Sequence, residues 1–245
     1  MRRALQLPLL LLLFGPCLPI AAEPLGKLAF AVGTVQATLP SPARELRVKA
    51  AIEPGMEVST AQRSVAKIAL EGKSDRGMKI CVGAVTLGPE SHFQFGAAIP
   101  EAGKYDFQLA GGQIRLAFTP VLAEDEARAL LGVLPHEVQI DTKSAHINIS
   151  GSDVYVWFNP DTGVTRVYVQ EGRAVVTGVH TRVQSRTTVR VAAGEMTEVP
   201  NDGRPPTLPQ RLSFGPLPQL FLSPGDLLFP DPFVDLNSPL LDLPK

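Results

Sequence analysis

The chain has 245 residues, of which 44% are hydrophobic and 19% charged, and its net charge is -1. This composition is typical of a globular protein and allows one large or two small domains with a buried core. It disfavours nucleic-acid binding, which needs a basic surface, because Lys and Arg form no cluster beyond isolated pairs.

The first 22 residues have the pattern of a secretory signal peptide. Arg2 and Arg3 give a positive start, Leu7–Ile20 is apolar, and small residues ending at Ala22 predict cleavage before Glu23. The apolar stretch is interrupted by prolines and is shorter than the roughly 20 residues of a membrane-spanning helix. We therefore expect a periplasmic or secreted protein without a transmembrane anchor.

Two cysteines are present, and the signal would remove Cys17. Cys81 then remains alone, which excludes a disulfide framework and a cysteine-based metal site in the mature chain. Its neighbours in Met78–Val82 have the pattern of a strand, so we expect a buried thiol; an intermolecular link is the alternative.

Short apolar runs separated by turn residues fill the chain up to Phe118. Val65–Leu70 alternates with a period of two, and similar runs recur about every eight to twelve residues, as in all-β proteins. Gly111 and Gly112 stand between two such runs and predict a hairpin turn.

One segment has a helical pattern. Ala123–Leu131 begins with acidic residues and is followed by Gly132, which predicts a short helix inserted at about residues 122–133. β patterns then return, with a turn predicted at Asn159–Gly163 from its proline and glycine. The strand-like runs of this second half are Val138–Thr142, Ala145–Ile149, Val154–Phe158, Thr165–Val169, Ala174–Thr177, Thr188–Val191 and Met196–Val199.

After Pro200 the composition changes. Eleven prolines occur from Pro200 to Pro244, which predicts an extended or disordered tail over residues 201–245. Leu217–Leu243 also contains leucine, phenylalanine and aspartate without a basic residue, so it can dock on a partner or fold back. The predicted fold is an all-β, antiparallel β sandwich or roll over residues 23–200, with one inserted helix and this tail.

The turns and strands of residues 46–200 together resemble a FecR-type domain. The resemblance is clearest in Thr165–Val176 and Val189–Glu195, which are similar to the closing strands of that family. Upstream, the similar segments are Pro54–Thr60, Val65–Leu70, Leu87–Ser91 and Leu109–Gln113. Ile149–Val156 keeps Gly151 but not the threonine and phenylalanine that the family has nearby.

This resemblance implies an envelope-located recognition or interaction module. The regulators that gave the family its name resemble anti-sigma transducers with a cytoplasmic region and a transmembrane helix. We expect this chain to represent the exported, stand-alone part, without direct control of a sigma factor across the membrane.

No pattern of catalytic residues stands out, so we expect a protein that is not an enzyme and has no cofactor. The histidines His92, His136, His146 and His180 lack metal-ligand spacing, and a metal site is not expected. Ser150–Asp153 lacks the glycine spacing of a nucleophile elbow and is interpreted as a turn.

The candidate binding surface is aromatic. Tyr155 and Trp157 share one face of their predicted strand, and Tyr168 lies across the following turn. Such rings can stack on a glycan or another ligand, or they can form part of a sandwich core.

The leading hypothesis is therefore non-enzymatic binding or scaffolding in the bacterial envelope, in sensing or assembly. Its partner is an envelope protein or polysaccharide. The alternatives are an enzyme acting on envelope polysaccharide, and a secretion or structural component that binds through the C-terminal tail.

Overall fold

The computed structural model describes residues 23–39, 42–73, 79–99, 104–118, 137–179 and 188–211. Within these ranges all regular structure is β-strand, which confirms the all-β prediction, and no helix there could span a membrane. The strands are β1 Gly26–Val32, β2 Val35–Leu39, β3 Arg44–Glu45, β4 Ala51–Ile52, β5 Glu57–Thr60, β6 Val65–Lys73, β7 Lys79–Leu87, β8 His92–Ile99, β9 Lys104–Phe118, β10 Glu137–Asp141, β11 Ala145–Asn159, β12 Val164–Gly178, β13 Thr188–Ala192, β14 Glu195–Val199 and β15 Gln210–Arg211.

All of these strands belong to one hydrogen-bonded sheet that closes on itself. From β9, pairing leads through β7 and β6 to β1, and β2 follows β1 after Gly33 and Thr34. From β2, pairing returns through β5 and β8 to β9. The predicted sandwich or roll is therefore wrong: the strands form a closed barrel with additional strands instead of two stacked layers.

The strand β9 connects both halves of this barrel. Its first half pairs with β8 and β10, and its second half pairs with β7 and β11. The hairpin predicted at Gly111 and Gly112 is wrong, because the chain continues through both glycines as one strand. Gly112 has a φ of 89°, a conformation that favours glycine.

The pair formed by β9 and β10 is parallel, with Glu137 opposite Lys104, so the prediction of a purely antiparallel sheet is also wrong. A parallel pair requires a long connection, since the chain must return to the start of the first strand. Here the connection is residues 119–136, which lie outside the described residues, as does the helix predicted at about 122–133. The described part of the chain contains no inserted helix.

The main core lies on the inner faces of the strands and includes a cluster of aromatic rings. Phe93, Phe95 and Phe107 are buried, and their centroids are separated by 5.0 to 5.6 Å. Phe93 and Phe95 are two residues apart on β8 and therefore lie on the same face of the strand. Phe107 on β9 lies directly opposite Phe95. These contacts join β8 to β9 at the centre of the barrel.

The turn predicted at Asn159–Gly163 is confirmed and joins β11 to β12. The Asn159 Oδ1 atom accepts hydrogen bonds from the backbone amides of Asp161 and Thr162, and Gly163 has a φ of 69°. After this turn, β12 runs without interruption through Glu171 and Gly172, where its pairing with β11 is irregular. The two strands therefore form one long hairpin.

The described chain ends in β15, which pairs with β14. The predicted signal peptide at residues 1–22 and residues 212–245 of the tail lie outside the described residues.

Candidate functional site

The three predicted aromatic residues lie together on one surface. Tyr155 on β11 is directly opposite Tyr168 on β12, and their ring centroids are 5.9 Å apart at an angle of 46°. Trp157 follows Tyr155 on the same face of β11 and is partly buried. The period of two therefore places the three rings as the sequence predicts.

These rings are separate from the main core. Val154, Val156 and Phe158 alternate with them along β11 and point into the barrel. Tyr155 and Tyr168 form a second cluster with Trp157 and Met196, and they are only 6% and 8% exposed. We call this opposite side of β1, β6, β7, β9, β11, β12 and β14 the outer face.

Two arginines cover the rings of the outer face. The Arg115 guanidinium lies 5.1 Å from the centroid of Tyr155, and that of Arg166 lies 5.0 Å from the centroid of Trp157. These distances are within the range of cation–π attraction. The Arg166 guanidinium occupies one side of the Trp157 ring. A ligand would therefore contact the edge and the remaining surface of this ring.

Each arginine is also paired with a carboxylate. Arg115 donates through Nε and Nη2 to the two carboxylate oxygens of Asp153, at 2.9 and 2.7 Å. The Nε atom of Arg166 donates to Oε2 of Glu198 at 2.7 Å. The first pair is nearly buried, with side chains 12% and 5% exposed, whereas the second is 23% and 36% exposed.

The electrostatic environment acts on Tyr168 as well. Desolvation raises the pKa of its phenol, and the nearby Asp153 carboxylate raises it further. The phenol therefore stays protonated at neutral pH and can donate a hydrogen bond.

Sequence reasoning missed Arg115, Arg166 and the role of Asp153. The pattern of Ser150–Asp153 predicts a turn, but Asp153 belongs to β11, next to two register shifts in the pairing with β12. Alternation alone would have put both arginines on the polar side of their strands. Their aromatic and acidic partners depend on strand register, which the sequence does not reveal.

The described histidines have single acidic partners. Nδ1 of His146 is 2.7 Å from Oδ1 of Asp141, and Nδ1 of His92 is 3.5 Å from Oε1 of Glu57. Among the described residues, no group of three or more His, Cys, Asp or Glu side chains could hold a metal ion. His136 and His180 lie outside the described residues.

The prediction that Cys81 is buried is wrong, because the residue is exposed on β7. Its Sγ atom donates a weak hydrogen bond to the Gly83 carbonyl at 3.4 Å. A register shift between Leu70 and Glu71 in the partner strand β6 interrupts the regular alternation opposite Cys81. This irregularity explains why the pattern predicted the wrong environment.

We expect Cys81 to react with iodoacetamide in the folded protein, but slowly near neutral pH. Desolvation of the sulfur is the main cause that raises the pKa of the Cys81 thiol, so less of the reactive thiolate is present than in an ordinary cysteine. The rate of alkylation of the chain beginning at Glu23, measured against pH, should reach its midpoint at a higher pH when folded than in urea. Equal midpoints in both states would contradict this expectation.

No protein-family model matches the chain, so the FecR-type resemblance stays a prediction, and no curated protein matches either. The chain is similar to two crystal structures of a "putative anti-sigma factor" from Parabacteroides distasonis ATCC 8503, with TM-scores of 0.42 and 0.41 and 12% identity. Each match covers 63% of this chain and 59% of that chain, so the chain spans about three fifths of the length of these structures. A similarity at this level does not define a function.

Proposed function

We propose that this protein is a non-enzymatic binding or scaffolding protein of the bacterial envelope that carries a FecR-type domain. The observation that supports binding is the outer face, where Trp157 remains partly exposed among ordered charged groups. Tryptophan and arginine are the residues that contribute most often to the energetic centre of protein interfaces.

The contacts that hold Arg166 in place make this face suitable for recognition. Arg166 lies between the Trp157 ring and Glu198, so its guanidinium is held in place before a partner arrives. Groups that are already ordered lose less conformational entropy on binding. Trp157 would supply apolar area, and the partly exposed Arg166 and Glu198 would form the polar rim.

The FecR part of the proposal is supported by the positions of the similar segments. Gly55 has a φ of 82° two residues before β5 begins, and Glu90 has a φ of 52° in the turn between β7 and β8. Gly172 and Gly194, with φ values of 86° and 80°, lie at the irregularity of β12 and between β13 and β14. Three of these four positions with a positive φ lie between strands, and Gly172 lies within β12.

The proposed location in the periplasm, or outside the cell, follows from the signal peptide pattern. A fusion of residues 1–22 to a reporter that is active only after export tests it. Retention of the reporter in the cytoplasm would remove the envelope from the proposal.

Replacement of Trp157 by Ala should abolish partner capture while the fold is kept. Trp157 is only partly buried, so the loss of stability should stay below about 3 kcal/mol, the lower end for a core tryptophan. The measurement is capture from two envelope fractions, membrane proteins and soluble polysaccharide, by the chain beginning at Glu23, with circular dichroism to check the fold.

The matched control is Leu39→Ser, which changes an exposed apolar side chain at the end of β2, away from the outer face. This variant should capture the same material as the unmodified chain. Equal capture by Trp157→Ala and the unmodified chain would exclude the outer face as the binding site. The fraction that is captured decides between a protein and a polysaccharide partner.

A further inference from the structure

The outer face is more extensive than the aromatic cluster. Strand register aligns one row of side chains across seven strands, and this row consists of Met196, Tyr168, Tyr155, Arg115, Thr86, Lys67 and Phe30. With a strand spacing of about 4.8 Å, the row is roughly 29 Å long. It therefore has the dimensions of a surface for an extended peptide.

A strip of small residues lies beside this row. Ala69, Ala84 and Ala117 are aligned on β6, β7 and β9 and are buried, although they do not belong to the main core. Lys67 and Thr86 next to them are only 4% and 2% exposed. Water is therefore largely kept from a face that the inner core does not cover.

The described chain ends close to this face. In β15, Gln210 is opposite Met196 and Arg211 is opposite Glu195, so the chain leaves β15 beside the aromatic cluster. Tyr168 lies two strands away from β15, which corresponds to roughly 10 Å. Residues 212–245 start from this point.

The composition of that segment requires a surface on which it can be buried. Residues 212–244 contain ten leucines, four phenylalanines and four aspartates, without a single Lys or Arg. Segments that stay solvated have low hydrophobicity, whereas this segment is rich in leucine and phenylalanine. Its prolines remove backbone donors, which disfavours its addition to the sheet as a central strand.

We propose that residues 217–243 dock on the outer face of their own chain. Leucine and phenylalanine side chains would cover the strip of alanines and the rings around Trp157. An extended chain of about nine residues spans the row, so 27 residues are sufficient.

The chemistry of the docked segment also indicates which kind of partner would bind the outer face. A protein that binds the outer face would have to displace residues 217–243, and an extended peptide rich in leucine and phenylalanine is the chemistry that fits there. This last step rests on the proposed function, whereas the docking itself does not.

Trp157 is the only tryptophan of the chain and therefore reports on the outer face directly. The test compares acrylamide quenching of the full chain with that of a variant carrying Leu227→Ser, Leu228→Ser and Phe229→Ser. We expect the variant to show a larger quenching constant and a red-shifted emission, because Trp157 loses its cover. The control Leu208→Ser changes an exposed leucine that precedes β15 and should leave both unchanged.

Unchanged quenching in the triple variant would overturn the proposal. So would a quenching constant that changes with protein concentration, since a second copy would then be the occupant. A larger quenching constant in Leu130→Ser/Leu131→Ser, without an effect of the triple variant, would identify residues 119–136 as the cover and also overturn it. Partner capture is measured separately, so loss of capture by Trp157→Ala with unchanged quenching in the triple variant keeps the proposed function and removes the docking.

Discussion

Replacement of Asp153 by Ala should destabilise the protein by about 3 to 5 kcal/mol, the cost of breaking a buried ion pair by removal of one partner. Both oxygens of Asp153 accept hydrogen bonds from Arg115, and only 5% and 12% of the two side chains are exposed. The variant leaves the guanidinium in a largely dry place without its carboxylate. Urea unfolding of the two proteins measures the difference.

The pair of Arg166 and Glu198 provides the matched control, because it lies on the same face but is more exposed. Glu198→Ala should cost at most about 1 kcal/mol, as is usual for a solvent-accessible pair. The double variant Arg115→Met/Asp153→Ala should be more stable than Asp153→Ala, since it leaves no guanidinium without its carboxylate. Equal losses for Asp153→Ala and Glu198→Ala would show that burial does not decide the strength of these pairs.

Replacement of Gly112 by Ala should have the second large effect. Gly112 has a φ of 89°, which is a left-handed backbone conformation. For a residue with a side chain, this conformation costs about 1 to 2 kcal/mol. A Cβ atom at this position would also lie 2.4 Å from both Cα and Oγ of Ser91. Ser91 cannot move freely, because its Oγ atom donates to the Gln113 carbonyl and accepts from the Gln113 amide. Overpacking adds about 1 to 3 kcal/mol, so the total should be about 2 to 5 kcal/mol.

The neighbouring Gly111 is the control for this prediction. A Cβ atom there would meet the Pro160 ring at 3.5 Å, an ordinary contact, and Gly111 has no positive φ. Gly111→Ala should therefore change the midpoint of thermal unfolding much less than Gly112→Ala. Similar midpoints for the two variants would show that the left-handed conformation and close packing of Gly112 do not matter for stability.

The sequence predicted individual strands better than their arrangement. Alternation in Val138–Thr142 and Ala145–Ile149 corresponds to β10 and β11, because the period of two is a local property. The partner of each strand is decided by distant residues, so the closed barrel and the parallel pair of β9 and β10 were not predictable. Paired glycines are equally compatible with a hairpin turn and with a left-handed residue inside a continuous strand, and the second arrangement occurs in β9.

The candidate site could likewise be predicted only in part from the sequence. Tyr155, Trp157 and Tyr168 could be placed on one face, because a single turn relates their two strands. Arg115 belongs to β9, which is far from them in sequence and reaches Tyr155 only through the register of β9 with β11. The cations, the buried ion pair and the extent of the outer face therefore needed the three-dimensional structure.

The position of β9 between four strands also governs how the protein folds. Its partners come from both sides along the chain, so neither the strands before it nor those after it complete their pairing in its absence. We therefore expect one cooperative unfolding transition for the described strands. Because many of these pairings close long loops, chain entropy is lost before most contacts form, and folding should be slow compared with that of a helical protein of this size.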